Sequence, residues 1–552
     1  MKKPVCLLVL AVCALSLVAE PTGVWTAQGV DEKTTTAENW ENSEIPSGIG
    51  LTFGAAGSRA LLGATLSASG VTFVPAATGR QFTIANDASA PDGTKLQVGA
   101  AGIVVSGLSA GSAQTNVITA PIELTGATAP LGGSARAKDI LRLQGPISSV
   151  GTVAVTASGP DKIYLEGQND FTGTFKSTQG VRYIAGGSLG AAGNTATFST
   201  SAGNSTLYFT GGTYDQTVTV DQTATINTYF QTESTNYVFN KLFTINNHSS
   251  TVMAFAQRYA NVSFNKGLAT DYGYQLNLYG YTGSSFTISN GNFNAYCNGG
   301  MMIYAYGAMS FNLWCPNSIC ARQTASMKLV GPVTFNTWVP LAFTTNSIYS
   351  SQFLPICFLK DPAGDDGVTL NLRGNDQVVG TLRTDISGYS ASTKGKITSP
   401  SPATLYVNQT ANKTFEPMFQ DSANLWKGGA STLTLAGVST TTGRLSVAEG
   451  TLAFSGSGAW SAATSVAVSG GVLQLDAASR INPKADYYLS GGKVDIAEGV
   501  TVEANQLFLP DGNGGWKTVG CGLYSAADFP DYISGSGLMR VKKPSGLILL
   551  LK

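Results

Sequence analysis

The sequence predicts an all-β solenoid, a chain wound into stacked rungs, and three observations carry that reading. First, three segments between Trp426 and Ile496 superpose without a gap at a spacing of 21 residues. Val447, Val468 and Leu489 align, as do Gly450, Gly471 and Gly492. Leu452, Leu473 and Val494 form a third column, and Phe454, Leu475 and Ile496 a fourth. A fixed period of this size marks stacked units, none of which can bury its apolar face alone. Second, Gly50-Leu-Thr-Phe53 returns as Gly70-Val-Thr-Phe73, 20 residues later, so the rhythm is present near the N-terminus. Third, the 552 residues include 65 Gly and only 12% charged residues, with short β-branched runs between Gly, Asn and Ser turns. The 33 basic and 33 acidic residues cancel, so no net field favours nucleic acid or an anionic membrane.

Residues 1–19 read as a secretory signal. Lys2 and Lys3 precede an apolar run from Val5 to Val18, with cleavage near Ala19 or Ser16. Leu10-Ala-Val-Cys13 partly matches a lipoprotein box, but Val12 before the Cys fits it poorly, so ordinary cleavage is expected. No later stretch reaches membrane-span length, so no integral membrane segment is expected after cleavage. Residues 20–75 are assigned to an N-terminal cap and the first rungs, with Trp25 and Trp40 covering the open end of the stack. Residues 76–510 form the body. Residues 511–552, with Trp516, Tyr524, Phe529 and Tyr532, form a C-terminal loop and capping strands.

Within the body, Leu165-Glu-Gly167-Gln-Asn169-Asp-Phe171-Thr-Gly173-Thr-Phe175 is echoed 270 residues later by Leu435-Ala-Gly437-Val-Ser439-Thr-Thr441-Thr-Gly443-Arg-Leu445. The pattern L-x-G-x-N-x-[FY]-T-G, followed by an apolar strand, resembles the autotransporter-associated β-strand repeat of secreted bacterial passenger proteins. The second copy departs from it with Ser439 for Asn and Thr441 for the aromatic. The resemblance implies a right-handed parallel β-helix that is exported and displayed at the cell surface or secreted, or retained in the periplasm. No aromatic-ended barrel strands close the sequence, so no translocator barrel is expected. With rungs of about 20–23 residues spaced about 4.8 Å apart, roughly 25 rungs would give a rod of order 120 Å.

Three functions suit such a rod. The leading one is a structural or adhesive scaffold with no catalytic activity and no cofactor, whose partner is an environmental or cell-surface polysaccharide or another surface protein. The second is a polysaccharide lyase or hydrolase, which needs paired carboxylates with a basic partner. Asp365 and Asp366, with Arg373 and Asp376 following, are the candidates, although Asp-Gly turns produce such strings routinely. The third is a non-catalytic carbohydrate binder using the aromatics concentrated at 272–314, among them Tyr272, Tyr274, Tyr304 and Trp314. The same aromatics, with the many Asn, can instead stack as ladders between rungs.

No C-x-x-C pair, one His (His248) and no Asp-rich calcium repeat argue against a metal site. Beyond the leader five Cys remain (Cys297, Cys315, Cys320, Cys357 and Cys521), an odd number that cannot all pair within one chain. Cys315 and Cys320 could close a small disulfide loop, and Cys297 and Cys320, 23 residues apart, could instead stack as buried apolar groups.

Overall fold

A computed structural model describes residues 22–542 apart from 55, 75–80, 107–112, 134–138, 160–161, 201–204, 223–225, 232–233, 248–250, 271–274, 290–291, 296–300, 315–326, 338–354 and 365. The leader lies outside these residues, as do His248, Cys297, Cys315 and Cys320. Among the described residues the chain is nearly all strand, with two short 3-10 turns and no α-helix.

The strands form long parallel sheets that overlap in succession along the molecule. One sheet of 14 strands runs from Thr22–Val24 to Asn292–Ala295, a second of 15 from Arg59–Leu62 to Leu382–Arg383, and a third of 15 from Gly212–Tyr214 to the strands around Gln506–Pro510. A fourth, of six, runs from Lys413–Phe415 to Ile533–Gly535. The winding is explicit in one coil. Thr195–Thr200 lies in the first sheet, Ser205–Phe209 in the second and Gly212–Tyr214 in the third, and the chain returns to the first at Thr217–Gln222. This is a parallel β-solenoid.

The repeat in the sequence is the pairing register. Val447 pairs with Val468 and Val468 with Leu489, while Leu452 pairs with Leu473 and Leu473 with Val494. Gly50-Leu-Thr-Phe53 pairs residue for residue with Gly70-Val-Thr-Phe73. Because side chains alternate across a strand, each register match stacks like on like inside the coil. Most of the buried apolar residues form one continuous core from Trp25 to Val541, and a small second cluster lies around Tyr304. The glycine column has a steric cause. A Cβ on Gly471 would lie 2.6 Å from the Gly450 carbonyl oxygen, and one on Gly492 would lie 2.3 Å from that of Gly471.

Rung length varies more than the repeat suggests. Around 425–487 a rung takes 20 or 21 residues, from Leu425 to Leu445 and from Leu445 to Val466. Between Asn236 and Ser310 it takes 24 or 25, and from Thr334 to Thr369 it takes 35. Register fixes only the strands; the extra residues enter at the corners, where surface loops lengthen at little cost. Longer rungs are fewer rungs, so the rod is shorter than 120 Å.

The two copies of the long motif hold their rungs in the same way. Asn169 accepts a hydrogen bond from Ile147 N at 2.8 Å and donates to Ser188 O at 2.6 Å, tying the rungs on either side. Ser439 reproduces the first bond, accepting from Phe419 N at 2.9 Å. Gly173 and Gly443 each pass so close to the previous rung that a Cβ would lie 2.0 Å from Val153 O and 2.3 Å from Ala423 O. Phe171 is buried; Thr441 is buried as well and donates to Ala423 O at 2.8 Å.

Both ends are covered. Trp25 and Trp40 meet edge to face at 5.3 Å and both lean on Phe53 of the first full rung. At the other end, Trp516–Thr518 turns back antiparallel on Gln506–Pro510, and Gly522–Tyr524 pairs antiparallel with Leu538–Val541. Tyr524, Phe529 and Tyr532 pack against the core there. Antiparallel strands and aromatic plugs stop further strand addition at the open edges.

Candidate functional site

The acidic candidates sit at corners on either side of the strand Thr369–Asn371. Asp365 lies outside the described residues. Asp366 is saturated with donors: Gly367 N at 2.7 Å, Thr393 N at 2.9 Å, Lys394 N at 3.1 Å, Thr393 Oγ1 at 3.2 Å, and Ser392 Oγ. Burial acts to raise its pKa, but the bonds from Ser392, Lys394, Gly367 and Thr393 outweigh it and hold the carboxyl below the usual range. A general acid must keep its proton near neutral pH. Asp366 is instead a fixed anion that clamps the loop at 392–394 to the preceding rung.

On the other side of that strand, Arg373 takes a left-handed backbone with φ of 55°. Its N–H donates to Asn371 Oδ1 at 3.1 Å, and its carbonyl accepts from Asn375 Nδ2 at 3.2 Å, which makes a turn of it. Asp376 accepts from Thr404 N at 2.7 Å, again a bond to the next rung. Asp366 and Asp376 thus serve separate corners, each bonded to the backbone of a neighbouring rung.

The aromatic candidates also separate. Tyr272 and Tyr274 lie outside the described residues. Tyr304 belongs to the outer face of the second sheet, packed with Met302, Val330, Cys357 and Leu359 under Ile386 and Tyr389. Burial, and next the charge of Asp361, push its hydroxyl up to about 12. Trp314 stands elsewhere, just past the third-sheet strand Met309–Leu313, and is 42% exposed.

Tyr304 ends an aromatic ladder of the kind expected for residues 272–314, but one that starts as early as Tyr164 and runs on the outer face. In strict register along the outer face stand Tyr164, Tyr183, Tyr208, Tyr229, Phe255, Tyr279 and Tyr304. From Tyr164 to Tyr279 successive ring centroids lie 4.0, 4.7, 5.1, 4.8 and 4.7 Å apart, with planes within 2–25° of each other. Arg142 caps the first ring, its guanidinium 5.0 Å from the Tyr164 centroid. Rings stacked along the axis cover one another's faces and turn only their edges outward. A sugar ring needs an aromatic face, so the interior of this ladder is not a sugar platform. Its role is to bind rung to rung. Asn ladders do the same on the third sheet, where Asn261 Nδ2 donates to Asn236 Oδ1 at 3.1 Å and Asn336 Nδ2 to Asn312 Oδ1 at 2.9 Å.

Where the ladder ends, the segment Arg383–Ala391 crosses the outer face, with Leu359 and Lys360 paired antiparallel to Ala391 and Ser390. Behind it opens a groove of about 760 Å³ lined by Thr384, Asp385, Tyr389, Asn412, Lys413, Thr414, Glu416 and Thr434, among others. Asp385 pairs with Arg383 Nε at 3.0 Å and Lys413 Nζ at 2.5 Å. Burial opposes its ionisation, but the bonds from Lys413 and Arg383 prevail and lower its pKa.

One buried cation escaped the sequence reading. Lys427 occupies the core column continued by Val447, and its ammonium donates to Gly429 O, Ser431 O and Glu449 O at 2.6–2.7 Å. Burial lowers it to about 8, while the three carbonyls use all three of its donors. Among the described residues no cluster of His, Cys, Asp and Glu could hold a metal ion.

No protein-family model, curated protein or solved structure matches this chain.

Proposed function

We propose that the chain is an exported structural or adhesive scaffold, a passenger-like rod that works by its length and surface and not by catalysis. The observation that carries this reading is the use made of the candidate carboxylates. Asp366 holds two backbone amides of the next rung through Oδ2 and Asp376 holds one through Oδ1, so the two carboxylates tie separate corners and do not face each other as an acid–base pair. The continuous core, the rung-to-rung ladders and the covered ends support it, since a stacked solenoid gains stability mainly from neighbouring rungs.

Export rests on the leader-like residues Lys2 to Ala19 and on the repeat that resembles those of secreted passengers. No helix among the described residues is long and apolar enough to cross a membrane. The reading is tested by fractionating cells that make the protein and sequencing its N-terminus. Recovery outside the inner membrane, with a new terminus close after Ser16 or Ala19, is expected. Retention in the cytoplasm with the leader intact would overturn it.

A further inference from the structure

We infer that the end of the tyrosine ladder and the groove beside it form a binding site for a neutral, linear polysaccharide. This assigns a ligand to the scaffold without resting on its export. Within the ladder, ring faces are covered, but Tyr306 ends its stack. It lies 5.2 Å from Tyr281 and 4.7 Å from Tyr304, and the next rung continues as Val330-Gly331-Pro332, with no aromatic ring to follow. Tyr306 is 45% exposed, whereas the rings inside the ladder are half-buried. Tyr389, packed against the cluster that holds Tyr304, donates from its hydroxyl to Met302 Sδ at 3.3 Å and also lines the groove. Because Tyr304 is also the ring 4.7 Å from Tyr306, the three rings share one neighbourhood.

The groove supplies the polar half. Thr414, Thr434 and Asn412 offer hydroxyl and amide groups, and Asp385, held by Arg383 and Lys413, offers carboxylate oxygens already fixed in place. Aromatic faces for the C–H side of a sugar, with a few oriented donors and acceptors for its hydroxyls, are the usual make-up of such a site. The charges give no preference for acidic glycans. Both cations at the groove are engaged by Asp385, Glu416 lines it, and Asp361 is offset by Lys360 beside it.

The test is affinity electrophoresis of the full protein in soluble glucan, mannan and xylan, with polygalacturonate as the acidic comparison. Retardation by a neutral polysaccharide is expected. Tyr306→Ala and Tyr389→Ala should each weaken it about tenfold, at the upper end of the worth of one aromatic stack. Tyr208→Ala, in the covered part of the ladder, should leave it unchanged. Matching far-UV circular dichroism across the variants separates loss of binding from loss of fold. No retardation by any of the three neutral polymers, stronger retardation by polygalacturonate, or equal weakening by Tyr208→Ala would overturn the assignment.

Discussion

Replacing Asn169 by Ala and by Ser tests how the repeated motif holds adjacent rungs. In the wild type, Asn169 satisfies Ile147 N–H and Ser188 C=O, both shut away from solvent. A buried backbone group left without a partner costs about 1–3 kcal/mol. Asn169→Ala strands both groups and should cost about 2–6 kcal/mol by that measure. The void beside Asn169 is about 10 Å³, the least that holds one water, so a water entering the space freed by Ala would move the cost to the lower end. Asn169→Ser should cost about half as much, because Ser439 shows that a hydroxyl at this position still accepts from the preceding rung. The assay is hydrogen exchange followed by mass spectrometry. A peptide containing Ile147 should exchange fastest in the Ala variant and at an intermediate rate in the Ser variant, with peptides around 445–496 unchanged, since solenoid rungs feel mainly their neighbours. Equal protection in wild type and Asn169→Ala, or Ser no better than Ala, would refute the reasoning.

Three further outcomes follow from the same geometry. Gly471→Ala should destabilise by about 1–3 kcal/mol in urea titration, because its Cβ meets the Gly450 carbonyl, whereas Gly193→Ala, with open space around the site, should be neutral or stabilising by up to about 1 kcal/mol. Tyr208→Ala removes stacks at 4.7 and 5.1 Å and should cost about 1–3 kcal/mol, read as an earlier urea midpoint. Asp366→Asn should lower thermal stability at neutral pH. Because the folded carboxyl titrates below its ordinary value, its contribution is fully present above that value and is lost as pH falls through the folded pKa. Wild type and variant should therefore converge in acid, and a gap that widens there would count against the clamp.

The register of the rungs was legible because strand pairing in a solenoid repeats the chain's own period. Val447, Val468 and Leu489 align as text and pair as strands for one reason, the need to stack like residues inside a coil. Rung length was less legible, since corners take insertions without disturbing the strands, as between Thr334 and Thr369. The outer ladder was harder still. Its spacings drift from 19 residues, Tyr164 to Tyr183, to 26, Tyr229 to Phe255, so no fixed period exposes it. A local signal did exist, an aromatic flanked by two inward residues, as in Ile163-Tyr-Leu165 and Leu207-Tyr-Phe209. Lys427 was detectable too, as a cation aligned with the valine of the next rung. The groove was not, because Arg383–Ala391, Asn412–Glu416 and Thr434 meet only through the winding and the antiparallel return onto Leu359.

If the rod is a scaffold whose carboxylates are structural, the purified, folded protein incubated with acidic and neutral polysaccharides should release no new reducing ends or unsaturated products above the protein-free control. Chain cleavage of any of these polymers that disappears in Asp366→Asn or Asp376→Asn would contradict that reading.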